Sequence, residues 1–414
     1  MSGSKSTRKH LAVICNGFPI ASETFVAHQA ISALHAGFSV SIHAEFSGGK
    51  STISEVSKKN LLRYLKLSGR AAEFYPIRLM QCVIHAFQYG ALMPLLRSIS
   101  YKNYGRLGAG FRLYQSVRTF AEVDAIDLVH AQFGPNGCKA VLAKKINLIE
   151  CPIIVSFHGY DAHFSKGSML AAQERYSELF RCADKFVVNG EYLKHQLLSL
   201  GCPVEKITII RNGVDTSLFA PPKIKSRGGR LRLISVGRLI KLKNHALGIR
   251  AIKWLLDKGV EAEYTLIGDG EELNSLKSVC KQLGVEDRVF FLGALGQEAI
   301  AAQLKLHEIF LMTSSMDGEG RQETQGIVSA EAQACGLPVV GLDLGGVAST
   351  VNDGETGFIV PIEDDELYFE KILLLADEKL RLRFSGSARE LVCTTFNIRD
   401  TEKKFQELFK SMYV

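Results

Sequence analysis

Two glutamates, Glu323 and Glu331, lie eight residues apart in the stretch Asp317–Pro338, DGEGRQETQGIVSAEAQACGLP. The apolar period that begins after Gly326 predicts a short helix over about residues 326–335, closed by Gly336. The free N–H groups and the dipole at such a helix N-terminus favour a phosphate. Carboxylates do not bind phosphate, so we predict that the glutamates bind hydroxyl-rich groups on either side of it, such as a ribose and a sugar. A capped surface helix with two solvated glutamates is the alternative interpretation.

Two cations follow the first predicted strand of the second half of the chain, in the sequence Val236–Asn244, VGRLIKLKN. Arg238 and Lys243 lie five residues apart, and two cations near a helix N-terminus can neutralise the charge that develops on a leaving diphosphate. A solvated basic loop is the alternative interpretation. The loops after the neighbouring strands offer glycines and backbone groups, so the whole edge predicts a nucleoside diphosphate site, which also includes Gly237, Gly268 and Leu292.

Polar residues also follow the predicted strands of the first half. His158 and Asp161 come directly after a buried run, in the sequence Ser156–Asp161, SFHGYD, and we predict that both face the same cleft. A histidine at this position is able to contact a reacting centre, although a structural histidine would have the same sequence pattern. Candidates for binding an acceptor at these strand ends are Asn16, Gly17, Glu23, Gln132 and Asp161.

Several common kinds of site are excluded by motif. The chain has neither the GxxxxGK[ST] of P-loop enzymes nor a GxGxxG with the acidic partner that NAD sites require. It has no HExxH and no Asp-x-Asp after a predicted strand, and the acidic pair Asp364–Asp365 has the position of a solvated helix start. We therefore expect no metal site and no cofactor.

The elements that must position these residues alternate between strand and helix patterns. Short apolar strands between helices predict parallel sheets that are covered on both faces, and the stretch 220–229, APPKIKSRGG, is typical of a linker. We predict an α/β protein of two doubly wound, Rossmann-like domains that face each other across a cleft, with ligands at the carboxyl ends of the strands. The predicted boundaries are 1–218 for the first domain, 219–229 for the linker, 230–395 for the second domain and 396–414 for a C-terminal helix that packs back toward the first domain.

The positive charge is concentrated in the segment 51–120, a helical insertion in the first domain. Between Glu55 and Phe120 eleven Lys and Arg stand against two Glu, whereas the net charge of the whole chain is +7, so the remainder is weakly acidic. The segment has no RNA-binding signature, and we expect no nucleic-acid partner. Leucines and phenylalanines at helical spacing among cations favour attachment to an anionic bilayer.

The cysteines and the N-terminus indicate the compartment. Nine scattered cysteines without a C-x-x-C pair are typical of a reducing cytoplasm. We expect no signal peptide, because the apolar run after the basic start covers only Leu11–Ile14. The most apolar long stretch, Met80–Leu96, is interrupted by polar residues and a proline. We therefore predict a cytoplasmic protein that is peripheral on the inner face of the cell membrane.

Taken together, these motifs resemble family 4 of the retaining glycosyltransferases, which have the GT-B fold. The E-x7-E signature of that family is similar to the sequence from Glu323 to Glu331, ETQGIVSAE. The resemblance runs through the second domain and most of the first, and it is supported by Gly237-Arg-Leu with Lys243, Ile267-Gly-Asp-Gly, Gly336-Leu-Pro, Asp353-Gly-Glu-Thr-Gly and Arg211-Asn-Gly-Val-Asp215. The stretches Ser22-Glu-Thr-Phe and His130-Ala-Gln-Phe-Gly further resemble members that build bacterial exopolysaccharides and lipopolysaccharides.

The resemblance implies a hexosyltransferase that moves a sugar from a UDP- or GDP-sugar to a glycan acceptor. Because the first domain is predicted to face the membrane, we expect the acceptor to be lipid-linked. It implies that Arg238 and Lys243 hold the donor diphosphate, that Glu331 binds the ribose and that Glu323 lies at the donor sugar. The N–H groups near Gly326 and Ile327 would meet sugar and phosphate, and His158 would contact the sugar near the reacting carbon. Family members usually need no metal, and the implied reaction retains the anomeric configuration.

The sequence departs from the family pattern in three places. The first loop has Asn16-Gly17 where two glycines are common, and Ser349 stands where an acidic residue is common. Thr324-Gln325 replaces a small and an aromatic residue after the first glutamate, which indicates a place where donor choice is decided. Two other functions stay open at this point, namely a nucleotide-sugar 2-epimerase of the same architecture and a non-catalytic partner in polysaccharide assembly.

Overall fold

Two parallel β-sheets, one from each half of the chain, form the framework of this computed structural model. It describes residues 8–20, 23–48, 60–69, 74–164, 168–222, 229–318 and 320–413. The sheets contain seven and six strands, and every strand pairs in parallel with its neighbours. This architecture confirms the predicted α/β fold with two doubly wound, Rossmann-like domains.

The first sheet has the strand order β5-β3-β1-β6-β7-β8-β9. Its central strands are fully buried because helices cover both faces, and β6 has no exposed residue. The strands of the first half are β1 (His10–Ile14), β2 (Gly17–Phe18), β3 (Ser39–Ala44), β4 (Phe46–Ser47), β5 (Leu65–Leu67), β6 (Leu128–Gln132), β7 (Ile153–Ser156), β8 (Lys185–Val188) and β9 (Ile207–Ile209), of which β2 and β4 pair separately. The helices are α1 (Thr24–His35), α2 (Tyr75–Gln88), α3 (Leu92–Arg97), α4 (Tyr101–Tyr104), α5 (Arg112–Val117), α6 (Gly134–Lys145), α7 (Met169–Cys182) and α8 (Glu191–Ser199).

The second sheet has the order β12-β11-β10-β13-β14-β15, and its strands are parallel, as the sequence predicts. They are β10 (Leu231–Val236), β11 (Ala262–Ile267), β12 (Val289–Phe291), β13 (Ile309–Met312), β14 (Val339–Leu342) and β15 (Gly357–Val360). The helices of this half are α9 (His245–Asp257), α10 (Leu273–Leu283), α11 (Gln297–Leu304), α12 (Ile327–Ala334), α13 (Asp365–Leu374), α14 (Glu378–Thr395) and α15 (Ile398–Ser411).

The insertion in the first half differs from the expected run of helices. The apolar residues at Leu61, Leu62 and Leu65 predict a helix, whereas only a 3₁₀ turn forms at Leu61–Tyr64 before β5 joins the edge of the sheet. The open edge of β3 supplies backbone partners that a surface helix would not have, so pairing overrides the local pattern. Parts of the insertion, residues 51–59 and 70–73, lie outside the described residues, as do 223–228 of the linker.

The last helix returns to the first half of the chain. Its aromatic residues Phe405 and Phe409 are buried beside α1 and contact Phe38 and His130. The chain crosses over at residue 396, where the Phe396 carbonyl accepts the Val214 N–H. None of the described helices is both long and apolar enough to cross a membrane.

Candidate functional site

Loops from the carboxyl ends of both sheets meet at one place. The hydroxyl of Thr324, in the loop after β13, donates to the carbonyl of His158 at 3.1 Å and accepts from Asn189 Nδ2 at 3.3 Å. The Gln325 amide donates to the Asn212 carbonyl at 3.0 Å and accepts the N–H of the same residue at 3.1 Å. Both side chains are therefore buried between the two domains.

These contacts give Thr324 and Gln325 a structural role, while their part in donor choice stays a prediction. Their polar atoms are bonded to groups of the first domain, so the pair joins the domains beside the site. Gly159 packs against Thr324 so closely that an added Cβ would lie 2.7 Å from its methyl group. The pair therefore couples the position of the Glu323 loop to that of the His158 loop.

An ion pair between Lys243 and Glu323 lies at the centre of the second domain's edge. Each side chain is only 17% exposed. The Lys243 loop is held in place because Thr313 Oγ1 donates to the Lys243 carbonyl at 2.7 Å. Burial alone would raise the pKa of Glu323, but Lys243 and the N–H groups of Gly326 and Thr324 outweigh burial and lower it. Glu323 is thus an ionised, fixed carboxylate with a cation at hydrogen-bond distance.

Glycines allow the backbone around Glu323 to come together. Gly326 has φ +70°, the left-handed region, and it caps α12 so that the Ile327 N–H stays free of intrahelical partners. The loop after β14 touches the loop after β13, because Gly346 N–H donates to the Glu323 carbonyl at 2.7 Å. A Cβ on Gly346 would lie 1.8 Å from the Thr324 carbonyl oxygen, which no side chain can do without moving the backbone. The structure therefore confirms the predicted helix N-terminus, and the loop after β14 fixes the loop that leads into it.

The other predicted donor residues lie at the ends of the adjacent strands β10, β11 and β12. Gly268 has φ +147°, and a Cβ there would lie 1.8 Å from the Gly237 carbonyl oxygen. Because Gly268 has no side chain, the Gly237–Arg238 loop is able to lie close to the loop after β11. Arg238 and Leu292 are exposed, so both side chains are accessible to a ligand at this edge.

Glu331 lies on α12, eight residues after Glu323. It is half-buried, and burial raises the pKa of its carboxyl group to about 8. Near neutral pH the group is therefore protonated in the absence of a ligand and is able both to donate and to accept a hydrogen bond. This property suits a vicinal pair of hydroxyl groups better than a phosphate.

His158 faces the second domain from the end of β7. Its ring stacks on Phe25 with centroids 3.9 Å apart, and Nε2 donates to Gln132 Oε1 at 3.0 Å. The amide of Gln132 donates in turn to Gln29 Oε1 at 2.7 Å, which fixes the imidazole tautomer. Burial, and secondarily His130, lower the pKa of His158 to about 3. The imidazole is therefore neutral, and its buried Nδ1 is a hydrogen-bond acceptor without a protein partner in the described residues.

Three of the predicted acceptor residues are buried. The Asp161 carboxylate accepts three backbone N–H groups, from Gly134 at 2.9 Å, His158 at 3.1 Å and Gly159 at 2.9 Å. Gln132 is fully buried beneath His158, and Gly17 in β2 lies against the ring of Phe46 in β4. These contacts hold the three residues within the first domain, and their contact with an acceptor stays a prediction.

The other two acceptor candidates, Asn16 and Glu23, lie beside a residue that the motif analysis did not assign. Asn16 Nδ2 donates to the hydroxyl of Tyr160 at 3.3 Å, and Tyr160 is exposed at the tip of the His158 loop. Glu23 occupies the N-cap position of α1 without a side-chain capping hydrogen bond, and its Oε2 is buried without a hydrogen-bond partner in the described residues. Burial raises the pKa of Glu23. The position of Tyr160, two residues after His158, was the one available sequence signal for it.

The described part of the chain contains no group of three or more His, Cys, Asp or Glu that could hold a metal ion. The cationic groups at the edge are instead protein side chains, namely Lys243 and the exposed Arg238. The expected absence of a metal requirement stays a prediction.

Comparison with known proteins agrees with this geometry. The family model described as Glycosyltransferase Family 4 matches residues 36–218, and the model described as Glycosyl transferases group 1 matches residues 218–391. The chain is 28% identical over 403 residues to the putative colanic acid biosynthesis glycosyltransferase WcaL of Escherichia coli, covering 95% of this chain and 98% of the relative. It is 23% identical over 303 residues to the UDP-Gal:alpha-D-GlcNAc-diphosphoundecaprenol alpha-1,3-galactosyltransferase of Escherichia coli, covering 70% of this chain and 76% of the relative.

A solved structure shows the same fold over the full chain. Anabaena Alr3699/HepE in complex with UDP-glucose superposes with a TM-score of 0.72 at 17% identity, covering 97% of this chain and 99% of the other. At this identity the likeness shows the fold alone. The two family matches together extend from residue 36 to residue 391, and Glu323 lies in the same loop as Thr324, which contacts the first domain. The chain therefore belongs to glycosyltransferase family 4 and has the GT-B fold.

Proposed function

We propose that this glycosyltransferase moves a hexose from a UDP- or GDP-sugar to a lipid-linked glycan in surface polysaccharide biosynthesis, with retention of the anomeric configuration. The observation that carries the proposal is the half-buried Lys243–Glu323 ion pair beside the free N-terminus of α12. This edge supplies cations and N–H groups for a diphosphate next to a fixed carboxylate for sugar hydroxyls. The names of the colanic acid and diphosphoundecaprenol relatives support the pathway and the lipid-linked acceptor.

The donor residues have distinct assignments in this proposal. Lys243 and Arg238 bind the diphosphate, and Lys243 exchanges part of its contact with Glu323 for a phosphate oxygen when the donor enters. Glu331 binds the ribose hydroxyls, and Glu323 binds hydroxyls of the transferred sugar. The N–H groups of the α12 terminus complete the anion site. Each such contact to the developing phosphate charge contributes about 2.7–4 kcal/mol, by analogy with a single oxyanion-hole donor.

We assign the transfer itself to front-face attack. The bond between the anomeric carbon and the leaving phosphate oxygen breaks while an acceptor oxygen bonds to the same face of that carbon. The acceptor proton passes to the departing phosphate. His158 is neutral and fixed, so its role is to contact the sugar beside the reacting carbon. Glu323 is already engaged by Lys243 and two N–H groups, which favours sugar binding over proton transfer.

No metal is required in this proposal, because Arg238, Lys243 and the helix dipole neutralise the leaving group. Transfer should therefore persist in excess chelator. A rate that falls with chelation and returns with Mg²⁺ or Mn²⁺ would overturn this part.

A panel of UDP-, GDP- and ADP-sugars with extracts of lipid-linked acceptors tests the function. We expect nucleotide release with one donor class. The new glycosidic bond should have the same anomeric configuration as the donor, which NMR measures. An altered sugar still attached to its nucleotide would instead identify a 2-epimerase. The absence of any thermal shift with every nucleotide would identify a non-catalytic partner. Glu323→Gln should abolish transfer, whereas the matched change Glu298→Gln, at an exposed glutamate of α11, should leave it unchanged.

We also propose that the basic segment 51–120 attracts the protein to the anionic inner face of the cell membrane. Each Lys or Arg near such a surface contributes about 1 kcal/mol, which salt screens. Arg63 is exposed, whereas Lys58 and Lys59 lie outside the described residues. Flotation with anionic vesicles at low salt tests the attraction, and binding that is unaffected by charge reversal at these three positions would refute it.

A further inference from the structure

Helix α2 turns its apolar side chains outward. Ile77, Met80, Ile84 and Phe87 recur at helical spacing on one face, and Phe87 is 77% exposed. A surface helix of a soluble protein normally directs such a stripe toward the core. Here the buried face instead carries the polar side chains of Arg78, Cys82 and His85.

Those inward polar groups are all bonded, so the helix is fixed in this orientation. Arg78 Nε donates to the Gly110 carbonyl at 2.5 Å, and Cys82 Sγ donates to Gln115 Oε1 at 3.3 Å. His85 Nδ1 accepts from the Tyr114 hydroxyl at 3.1 Å, and its Nε2 donates to Glu122 at 3.4 Å. Rotating the helix to bury the apolar face would break these contacts and leave buried polar atoms unpaired.

The exposed apolar face continues into the next helix. Thirteen of the 26 large apolar side chains that are exposed in the described residues lie between 74 and 107, so the exposure is concentrated in the insertion. We call its core the apolar ridge, formed by Ile77, Met80, Val83, Ile84, Phe87, Leu92, Met93 and Leu96. Contiguous exposed patches of this kind mark surfaces that are covered by a partner or a membrane.

The charges around the apolar ridge identify what covers it. Residues 74–121 contain six Lys or Arg and no Asp or Glu. Arg97, Lys102, Arg106 and Arg112 are exposed on the same insertion. An apolar ridge whose neighbouring exposed charges are cations matches hydrocarbon edged by anionic headgroups.

We propose that the apolar ridge inserts into the interfacial layer of an anionic bilayer, with these cations at the headgroup phosphates. This inference deepens the proposed function, on which its biological purpose rests, because it changes electrostatic attraction into shallow insertion beside the acceptor-binding domain. Attachment by insertion differs from attraction in one respect that can be measured. Binding should persist in part at high salt, because buried apolar area does not respond to ionic screening.

The experiment is sedimentation of the full-length protein with vesicles of phosphatidylglycerol and phosphatidylcholine. Ile84→Ser with Phe87→Ser should lower the partition coefficient about 100-fold, at roughly tenfold for each apolar side chain withdrawn from the interface. The matched control is Leu170→Ser, which removes a side chain that is 75% exposed on α7, and its partition should equal that of the wild type. All three substituted side chains are exposed, so the circular dichroism spectrum and the unfolding midpoint should be the same in the wild type, the double variant and the control.

A second readout locates the insertion. Phe87→Trp should be quenched by brominated lipids, whereas Trp254, the single native tryptophan, should not be quenched in the wild type. Equal vesicle binding by the double variant and the wild type would overturn the inference. So would a wild-type dimer in lipid-free ultracentrifugation that the double variant converts to a monomer, since a second copy would then cover the apolar ridge. Nucleotide binding and transfer to a short-chain soluble acceptor should be equal in all variants. If the wild type binds no nucleotide, the proposed function fails while the insertion result stands.

Discussion

Removing Lys243 should change how the stability of this protein depends on pH. Glu323 is 17% exposed and has its pKa held below the usual value against the effect of burial. In Lys243→Met the carboxylate loses its cation but remains buried, so its pKa should rise above the unfolded value of about 4.3. Breaking a fully buried pair costs about 3–5 kcal/mol. We expect about 2–3 kcal/mol here, because the pair is slightly exposed and two backbone N–H groups remain.

The sign of the pH dependence follows from the two pKa directions. In the wild type a lowered folded pKa contributes stability above the unfolded pKa, and this contribution is lost as the pH falls through the folded value. In the variant a raised folded pKa contributes stability below the unfolded value, and this contribution is lost as the pH rises through the folded pKa. The difference between the two proteins should therefore be largest at pH 7–8 and should shrink below about pH 4.5.

The assay is thermal unfolding of the wild type, Lys243→Met, Glu323→Gln and the double variant from pH 4 to pH 8. About 2–3 kcal/mol corresponds to roughly 4–12 °C in the midpoint for domains of 150–250 residues. Because Gln does not titrate, the midpoint difference between Glu323→Gln and the double variant should be independent of pH. The matched control Lys253→Met breaks an exposed pair with Asp257 and should change stability by less than about 1 kcal/mol. A difference between wild type and Lys243→Met that stays constant over this pH range would refute the reasoning.

Three further outcomes can be measured on the same protein. Glu23→Gln should lower the rate of transfer to the acceptor at least tenfold while nucleotide affinity and acceptor-free donor hydrolysis stay unchanged, because its unpaired Oε2 lies on the first domain; an equal loss in hydrolysis would contradict an acceptor role. Gly346→Ala should lower the unfolding midpoint and weaken nucleotide binding, since its Cβ would lie 1.8 Å from a carbonyl oxygen; titration calorimetry with unchanged affinity would count against it. Gln325→Ala removes two hydrogen bonds between the domains at 3.0 Å and 3.1 Å and should accelerate limited proteolysis of the linker, while an unaltered cleavage rate would show that the pair does not hold the domains together.

The sequence predicted the strands of the second domain and the helix after Gly326 because those features are local. Apolar runs of four to six residues pair as parallel strands, and a Gly at each end defines α12. The family also followed from the sequence, since its motifs are short and closely spaced. In contrast, β5 was not predicted, because its strand character depends on hydrogen bonds to the open edge of β3.

Only the tertiary structure decided which polar residues of the strand-end loops are buried. Asp161 and Gln132 lie at strand ends, as the other acceptor candidates do. Their hydrogen-bond partners Gly134 and Gln29 come from distant parts of the chain and keep both side chains buried. The outward face of α2 was likewise decided by Gly110, Gln115 and Glu122.

The sequence by itself determined the fold class, the loops that carry the chemistry and the family, because each depends on residues that are near one another along the chain. The tertiary structure decided that Lys243 pairs with Glu323 across 80 residues, that Thr324 and Gln325 join the domains, and that the apolar ridge faces outward. The physical reason is that the role of a side chain depends on which groups hydrogen-bond to it and which groups shield it from solvent. In this protein those groups come from other loops and from the other domain.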